Sequence, residues 1–496
     1  MAVNLNTPGC EIKERRLGSI TGYFGTIGDM TRKGCEGCLK NKKRCFTTVS
    51  QCSHYEALGQ LAAVDDAVII DHAPVGCSAG QVCFNRIFNL NVSKMIGERG
   101  RNFRIMSTDI KESDTVFGGL AKLRKTIRKA YDRYHPSQIY VVTSCVSAII
   151  GEDANSVVEE MQEELGIPIG FAASEGIKSK IWASGYDDYS HAVARTILKD
   201  SDERENIINY VGFSPLGKEY IEGFFERLGY KMNFLTARAK TEDYERASKA
   251  VASFGQCGAQ SSYLCGALEK RFGVKYFQSH FPYGGIGFER FFREVGEYLG
   301  KQDEVEEIIR EEREKYADRL ERVREQLKGK KVFIALGATF AYEYTRIAGE
   351  LGLGVIHTVA YHYDPRLDNI TDERVAAAVD AIESGLENVS TSVNDSQQME
   401  TLLTMRNLEK PDVVISRVHE TAPWSMKIGI PAVTGSASLN LVGYRALVEF
   451  GERIVEELKN KNFVTKLGKN FKSPFTEEYE QLKQLHFLQG GKEDVE

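Results

Sequence analysis

With 496 residues, 42% hydrophobic and 27% charged, the chain is too long for one core, and two to four domains of a globular protein are expected. A net charge of −6 leaves no electrostatic footprint for nucleic acid, and no apolar run approaches the ~18 residues that cross a bilayer. Neither a polyanion nor a membrane is therefore an expected partner, and the expected location is the cytoplasm. Ten cysteines are too few for a disulfide scaffold of this length, so metal binding is the use to test.

The first 45 residues read as an irregular extension ending in "RKGCEGCLKNKKRC". Its Cys35, Cys38 and Cys45 form one C-x-x-C with a third thiol nearby, a candidate for a small separate metal or redox site. Beyond it, "DAVIID", "QIYVVTS", "INYVGF", "VKYFQSH", "KVFIALG", "GVIHTVA" and "DVVISR" alternate with helical patterns. That alternation predicts α/β layers with parallel sheets, whose ligand sites lie at the carboxyl ends of strands. "KQDEVEEIIREEREKYADRLERVREQLKGKK" predicts a long charged helix, read as a solvated connector and used as a boundary. The resulting plan is an extension over 1–45 and domains over 46–200, 201–325 and 326–496.

Cys52 precedes a helical pattern, Cys77 follows the strand "AVIID", and Cys145 ends "QIYVVTSC". Three thiols at element ends would converge above a sheet edge as the soft ligand set that iron–sulfur clusters prefer. The competing use is packing, because free cysteine is among the most often buried residues. Cys257 follows the strand-like "AVASFG" and sits among small residues that leave room for a bulky ligand. Cys10, Cys83 and Cys265 read as structural.

These segments resemble the alpha subunit of nitrogenase component 1 from about Cys52 to Tyr444. "HAPVGC" is similar to that family's H-G-P-V-G-C turn, "SDTVFGGLAKLRKTI" to its D-I-V-F-G-G-x-x-K-L element, and "TSCVSAIIGEDANSV" to its E-C-P-x-x-L-I-G-D-D stretch. The resemblance implies three Rossmann-like parallel-sheet domains with clusters bound between domains and at a subunit interface. It makes Cys52, Cys77 and Cys145 ligands of a P-cluster-like relay shared with a beta-type (K-like) chain in an alpha2beta2 complex. Cys257 stands sixteen residues before Gly273, as the family's cofactor cysteine does before its strand glycine, which implies a large iron–sulfur cofactor there. No G-x-x-x-x-G-K-[ST] loop is present, so ATP hydrolysis is expected in a separate iron–sulfur reductase that docks near Phe117.

The departures are concentrated around the cofactor. Ser436 stands where the family has a histidine ligand and Glu420 where it has a lysine. Trp182 and Tyr186 replace a Gln/His loop, and Phe340 matches an arginine. A pocket with fewer cations holds an organic acid poorly, so a cofactor without homocitrate and an aromatic pocket for an organic thioether are expected. Tyr342 is a further candidate for that pocket wall. His419, His280, His357 or His362 would supply the missing ligand, and "GGIGFER" a cluster-contacting turn. The resemblance thus implies the catalytic D-type subunit of a nitrogenase-like reductase, of which methylthio-alkane reductases are the nearest class. Trp182, Tyr186, Phe340 and His419 are its candidate substrate-facing residues. The alternatives are an E-type scaffold for cofactor assembly and a reductase of tetrapyrrole biosynthesis.

Overall fold

The computed structural model describes residues 3–39, 52–79, 97, 100, 102–213, 217–368, 382–394, 409–416, 421–435, 441–474 and 476–477. Its N-terminal segment is ordered, contrary to the irregular extension expected. A short helix (Lys13–Arg16), strand β1 (Gly22–Thr26) and a helix (Ile27–Cys35) follow one another. The reason is tertiary: Lys13 and Arg16 are fully buried by partners far along the chain, and β1 finds a partner strand 368 positions on, Gly22 opposite Asn394 and Thr26 opposite Ser390.

The chain divides into two compact units, one of Met1–Leu17, Ser50–Lys218 and Gly229–Phe277, the other of Gly18–Val49, Glu219–Leu228 and Gln278–Glu496. In the first unit β2 (Ala67–His72), β3 (Ile105–Ser107), β4 (Gln138–Thr143) and β5 (Ile169–Ala173) form an all-parallel sheet in the order β3-β2-β4-β5. Side chains alternate between its faces, as a period of two requires. Val68, Ile70, Ile139 and Val141 enter one core, while Ala67, Ile69, Tyr140 and Val142 enter the other. Parallel pairing requires crossover connections, whose helices cover both faces, and burial on both faces is what continuous β-branched runs encode. A second parallel sheet of the same unit, β7-β6-β8-β9, is built from β6 (Ile207–Val211), β7 (Lys231–Leu235), β8 (Ala252–Gly255) and β9 (Lys275–Tyr276).

The second unit holds a six-stranded sheet in the order β1-β12-β11-β10-β13-β14. It is composed of β10 (Lys331–Leu336), β11 (Gly354–Ala360), β12 (Ser390–Asn394), β13 (Val413–Ser416) and β14 (Ala432–Thr434), with β1 antiparallel at its edge. The charged helix runs over Gln302–Leu327, and it is not a solvated connector. Val305, Ile308, Ile309, Tyr316, Leu320, Val323 and Leu327 recur at helical spacing along one buried face, and the helix packs against Gly443–Lys459. No helix among the described residues is long and apolar enough to cross a membrane.

Candidate functional site

Each candidate thiol of the first unit stands where a parallel strand gives way to a helix. β2 ends at His72, and Cys77 lies in the short helix Val75–Ala79 that follows; β4 ends at Thr143, and Cys145 opens the helix Cys145–Ile150. These strands are neighbours, with His72 opposite Thr143, so both turns emerge side by side. Cys52 is the N-cap residue of the helix Ser53–Ala62. That helix meets the helix Ser184–Thr196 at Gly185, where an added Cβ would fall 2.2 Å from the Ser53 carbonyl oxygen. Only glycine allows this approach.

Two of the thiols, those of Cys52 and Cys145, meet at the turn after β5. A Cβ built on Gly176 would lie 3.2 Å from the Cys52 sulfur and 3.7 Å from that of Cys145, so the absence of a side chain there leaves the sulfurs a shared space. Burial pushes the Cys52 thiol up, opposed by the backbone N–H groups of Tyr55 and His54 at the helix N-terminus, and Cys145 nearby adds to the rise. Cys77 is pushed up by burial, then by the charges of Asp71, Cys52 and Cys145. Thiolates that repel one another in this way are drawn together by a cation, as metal binding does when it takes the thiol proton's place. Among the described residues no three His, Cys, Asp or Glu side chains close around a single ion. Thiolate is the donor that iron–sulfur clusters take, and by that chemistry Cys52, Cys77 and Cys145 fit such a group.

A buried hydrogen-bond set ties the three elements together. His54 Nδ1 is 2.9 Å from the Thr143 carbonyl oxygen and its Nε2 is 3.1 Å from Asp71 Oδ1, while Ser78, beside Cys77, donates to Asp71. Burial alone lowers the His54 pKa, but the hydrogen bond and charge of Asp71 with the carbonyls of Thr143 and Ser174 outweigh it, and the net shift is upward. A second set leads outward: His72 Nε2 is 2.9 Å from Glu152, which accepts the backbone N–H of Gly119, two residues beyond Phe117. Phe117 is 88% exposed, and Val75, Val116, Ile149 and Ile177 are also exposed. Val75 and Ile149 lie on the short helices that carry Cys77 and Cys145, Ile177 follows Gly176, and Val116 and Phe117 end the helix Glu112–Phe117, which packs against the Cys145 helix.

Cys257 lies in the same unit after β8, as the N-cap residue of the helix Gly258–Phe272, and is 9% exposed. Burial raises both Tyr210 and Tyr276 far above the usual phenol range, with the charge of Cys257 adding to the rise at Tyr210 and those of Cys265 and then Cys257 at Tyr276. A soft sulfur at a helix N-terminus among small residues fits an iron ligand. Trp182 is nearly buried and meets Tyr186 edge to face at 5.6 Å. In the second unit Phe340 stacks on Tyr283 at 6.0 Å, and Tyr342 is fully buried with its hydroxyl donating to the Met30 sulfur, a packing role. Cys35 and Cys38 are exposed and form no disulfide, while Cys45, Cys83, His419, Glu420 and Ser436 lie outside the described residues.

Two softer expectations are corrected. His357 is no free ligand: its Nδ1 is 2.8 Å from the Ser390 hydroxyl and its Nε2 2.9 Å from that of Ser392, and burial holds it neutral with a pKa of about 3. The backbone N–H groups of Gly285 and Ile286 in "GGIGFER" donate to Glu350 at 2.9 and 3.1 Å, so that carboxylate takes the place expected of cluster sulfides. His362 Nδ1 is 3.3 Å from Asp364.

Buried carboxylates behind the site went unnoticed in the sequence. Asp188 accepts from the Cys10 thiol at 2.9 Å and from Ser174 at 2.6 Å. Burial pushes it up to about 7, opposed by those hydrogen bonds and reinforced by the charges of Asp187 and Glu175. A carboxyl raised on folding stabilises the native state fully below its unfolded pKa near 4, and that stability is lost as pH climbs to about 7. Asp188→Asn is therefore expected to lose less stability than the wild type between pH 5 and pH 8. Denaturant midpoints at the two pH values check this, and equal losses would count against it.

Fold and site together define an α/β protein of parallel sheets that presents clustered cysteines at the carboxyl ends of its strands. The chain belongs to the family described as nitrogenase component 1 type oxidoreductase, whose sequence model matches residues 52–459. It is 29% identical over 316 residues to the nitrogenase molybdenum-iron protein alpha chain of Methanosarcina barkeri, covering 62% of this chain and 58% of that one. It is 28% identical over 403 residues to the nitrogenase iron-molybdenum cofactor biosynthesis protein NifE of Methanococcus maripaludis, covering 79% and 80%. The fold matches the solved structure "Nitrogenase Cp1 at pH 6.5" with a TM-score of 0.70 at 22% identity, over 88% of this chain and 93% of that one.

Proposed function

We propose that the chain is the catalytic alpha-type subunit of a nitrogenase-like two-component reductase. In this reading Cys52, Cys77 and Cys145 hold a relay cluster completed by a beta-type subunit, Cys257 holds a second iron–sulfur cofactor without homocitrate, and a separate ATP-hydrolysing reductase docks around Phe117. Iron–sulfur centres supply low-potential one-electron chemistry when bound. The protein's own part is to fix the sulfurs, exclude water and shape the space beside Cys257, with Trp182 and Tyr186 of the same unit as its aromatic wall. The observation that supports the reading is that the Cys52 and Cys145 sulfurs share the space at Gly176, with Cys77 close enough to feel the charge of both, on elements that also expose Val75, Ile149 and Ile177. Thiols that reach the surface beside exposed apolar side chains suit a site shared with another chain.

The substrate proposed is a small organic thioether, matched to aromatic residues where the family carries polar ones. Purified complex with its ATPase partner and dimethyl sulfide is expected to release methane and methanethiol. Absence of turnover by fully iron-loaded complex would overturn the catalytic reading. One observation favours a second reading, an E-type scaffold: the match to NifE covers more of both chains than the match to the alpha chain. A scaffold would instead surrender its cofactor to an apo-dinitrogenase, and transfer of radiolabelled iron measures that.

A further inference from the structure

The short helix Lys13–Arg16 is held by charge rather than by apolar contact. Lys13 Nζ donates to Asp187 at 2.9 Å and to the Ala259 carbonyl at 2.9 Å; Arg16 Nε donates to the other Asp187 oxygen at 2.8 Å, and its Nη2 to the Ser262 hydroxyl at 3.3 Å. All three charged side chains are essentially inaccessible to solvent. Ala259 and Ser262 belong to the first turns of the Cys257 helix, and Asp187 to the helix that begins just after Trp182. Between the two cations, Glu14 accepts from Ser179 at 2.8 Å and from the Lys180 backbone N–H at 2.7 Å, which pins the loop leading to Trp182.

A buried ion set of this kind is a poor device for stability, since well-packed apolar residues of like volume do as well or better. What it does provide is directional bonding that only one arrangement of the three elements satisfies. We propose that Lys13, Glu14 and Arg16 are positioning residues, an N-terminal strap that fixes the start of the Cys257 helix against the Trp182 loop. The assignment rests on the reading of Cys257 as a cofactor ligand. The strap sets where the thiol stands and how closely the aromatic wall approaches it.

The test uses the full-length chain without iron, alkylated under native conditions with iodoacetamide and read for each cysteine peptide by mass spectrometry. In Lys13→Met, Cys257 is expected to react at least about tenfold faster than in the wild type, as local opening of the helix start predicts. Cys265, fully buried in the same helix, stays protected. Lys13→Arg, which keeps the charge and a donor, is expected to restore most of the protection, and iron-loaded Lys13→Met to show an altered electron paramagnetic resonance line shape that Lys13→Arg does not. An unchanged Cys257 rate in Lys13→Met overturns the proposal. If Cys265 also becomes reactive, the decision passes to Glu14→Gln in a Trp424→Phe background. A shifted Trp182 emission with Cys265 protected supports the strap, and an unmoved emission overturns it. Full iron retention by Cys257→Ala would sink the cofactor reading while leaving the strap results intact.

Discussion

Cys77→Ala is expected to lose the relay cluster while keeping the centre at Cys257, and Cys257→Ala to do the reverse. Loss of a partner that merely orients a ligand costs about ten- to a hundredfold in metal affinity, and loss of the ligand itself is expected to cost at least that. The two sites belong to different sheets of one unit, Cys77 following β2 and Cys257 following β8, so each defect is expected to stay local. Iron and sulfide content with electron paramagnetic resonance of each variant measures this. The expected result is two complementary spectra, each lacking one centre. A protein that keeps both signals after either substitution contradicts the assignment of that thiol.

Asp187→Asn is expected to be the most destabilising conservative change in the first unit. It leaves the Lys13 ammonium and the Arg16 guanidinium buried without their carboxylate. Breaking a buried ion set from one side costs about 3–5 kcal/mol, because the remaining charge keeps its desolvation penalty. For a unit of this size that corresponds to roughly 10 °C in melting temperature. Calorimetry should show the transition of the first unit moved down and that of the second in place. A triple change of Lys13, Arg16 and Asp187 to apolar residues of similar volume should recover much of the stability without recovering protection of Cys257. A drop below about 1 kcal/mol in Asp187→Asn would mean that water reaches the cations.

Six of the seven runs were legible as strands because central parallel strands are buried on both faces, which leaves a continuous apolar signal, while "VKYFQSH" supplies only the two-residue edge strand β9. The thiols at Cys77, Cys145 and Cys257 were legible for a related reason: each follows such a run within a few residues, and strand ends are where open α/β sheets place their ligands. β1 was not legible. "GYFGT" holds two glycines in five residues, and its strand character comes from pairing with β12, which no local pattern announces. The ion set failed for the opposite reason. Ser184, Asp187, Asp188 and His191 form a polar stripe at helical spacing, which reads as a solvated face and yet is buried. Gly176 and His54 carry no signal of their own, since their roles exist only once β5 and the Cys52 helix are brought together over the sheet edge. The long charged helix shows how charge hides a stripe: its apolar residues kept strict spacing but were outnumbered.

The most direct test of the central claim is anomalous scattering at the iron edge from crystals of the isolated complex. The account requires two separate iron peaks for each copy of this chain, one against Cys52, Cys77 and Cys145 beside Gly176, and one against Cys257. Iron-loaded crystals with no density at either set of sulfurs would contradict it.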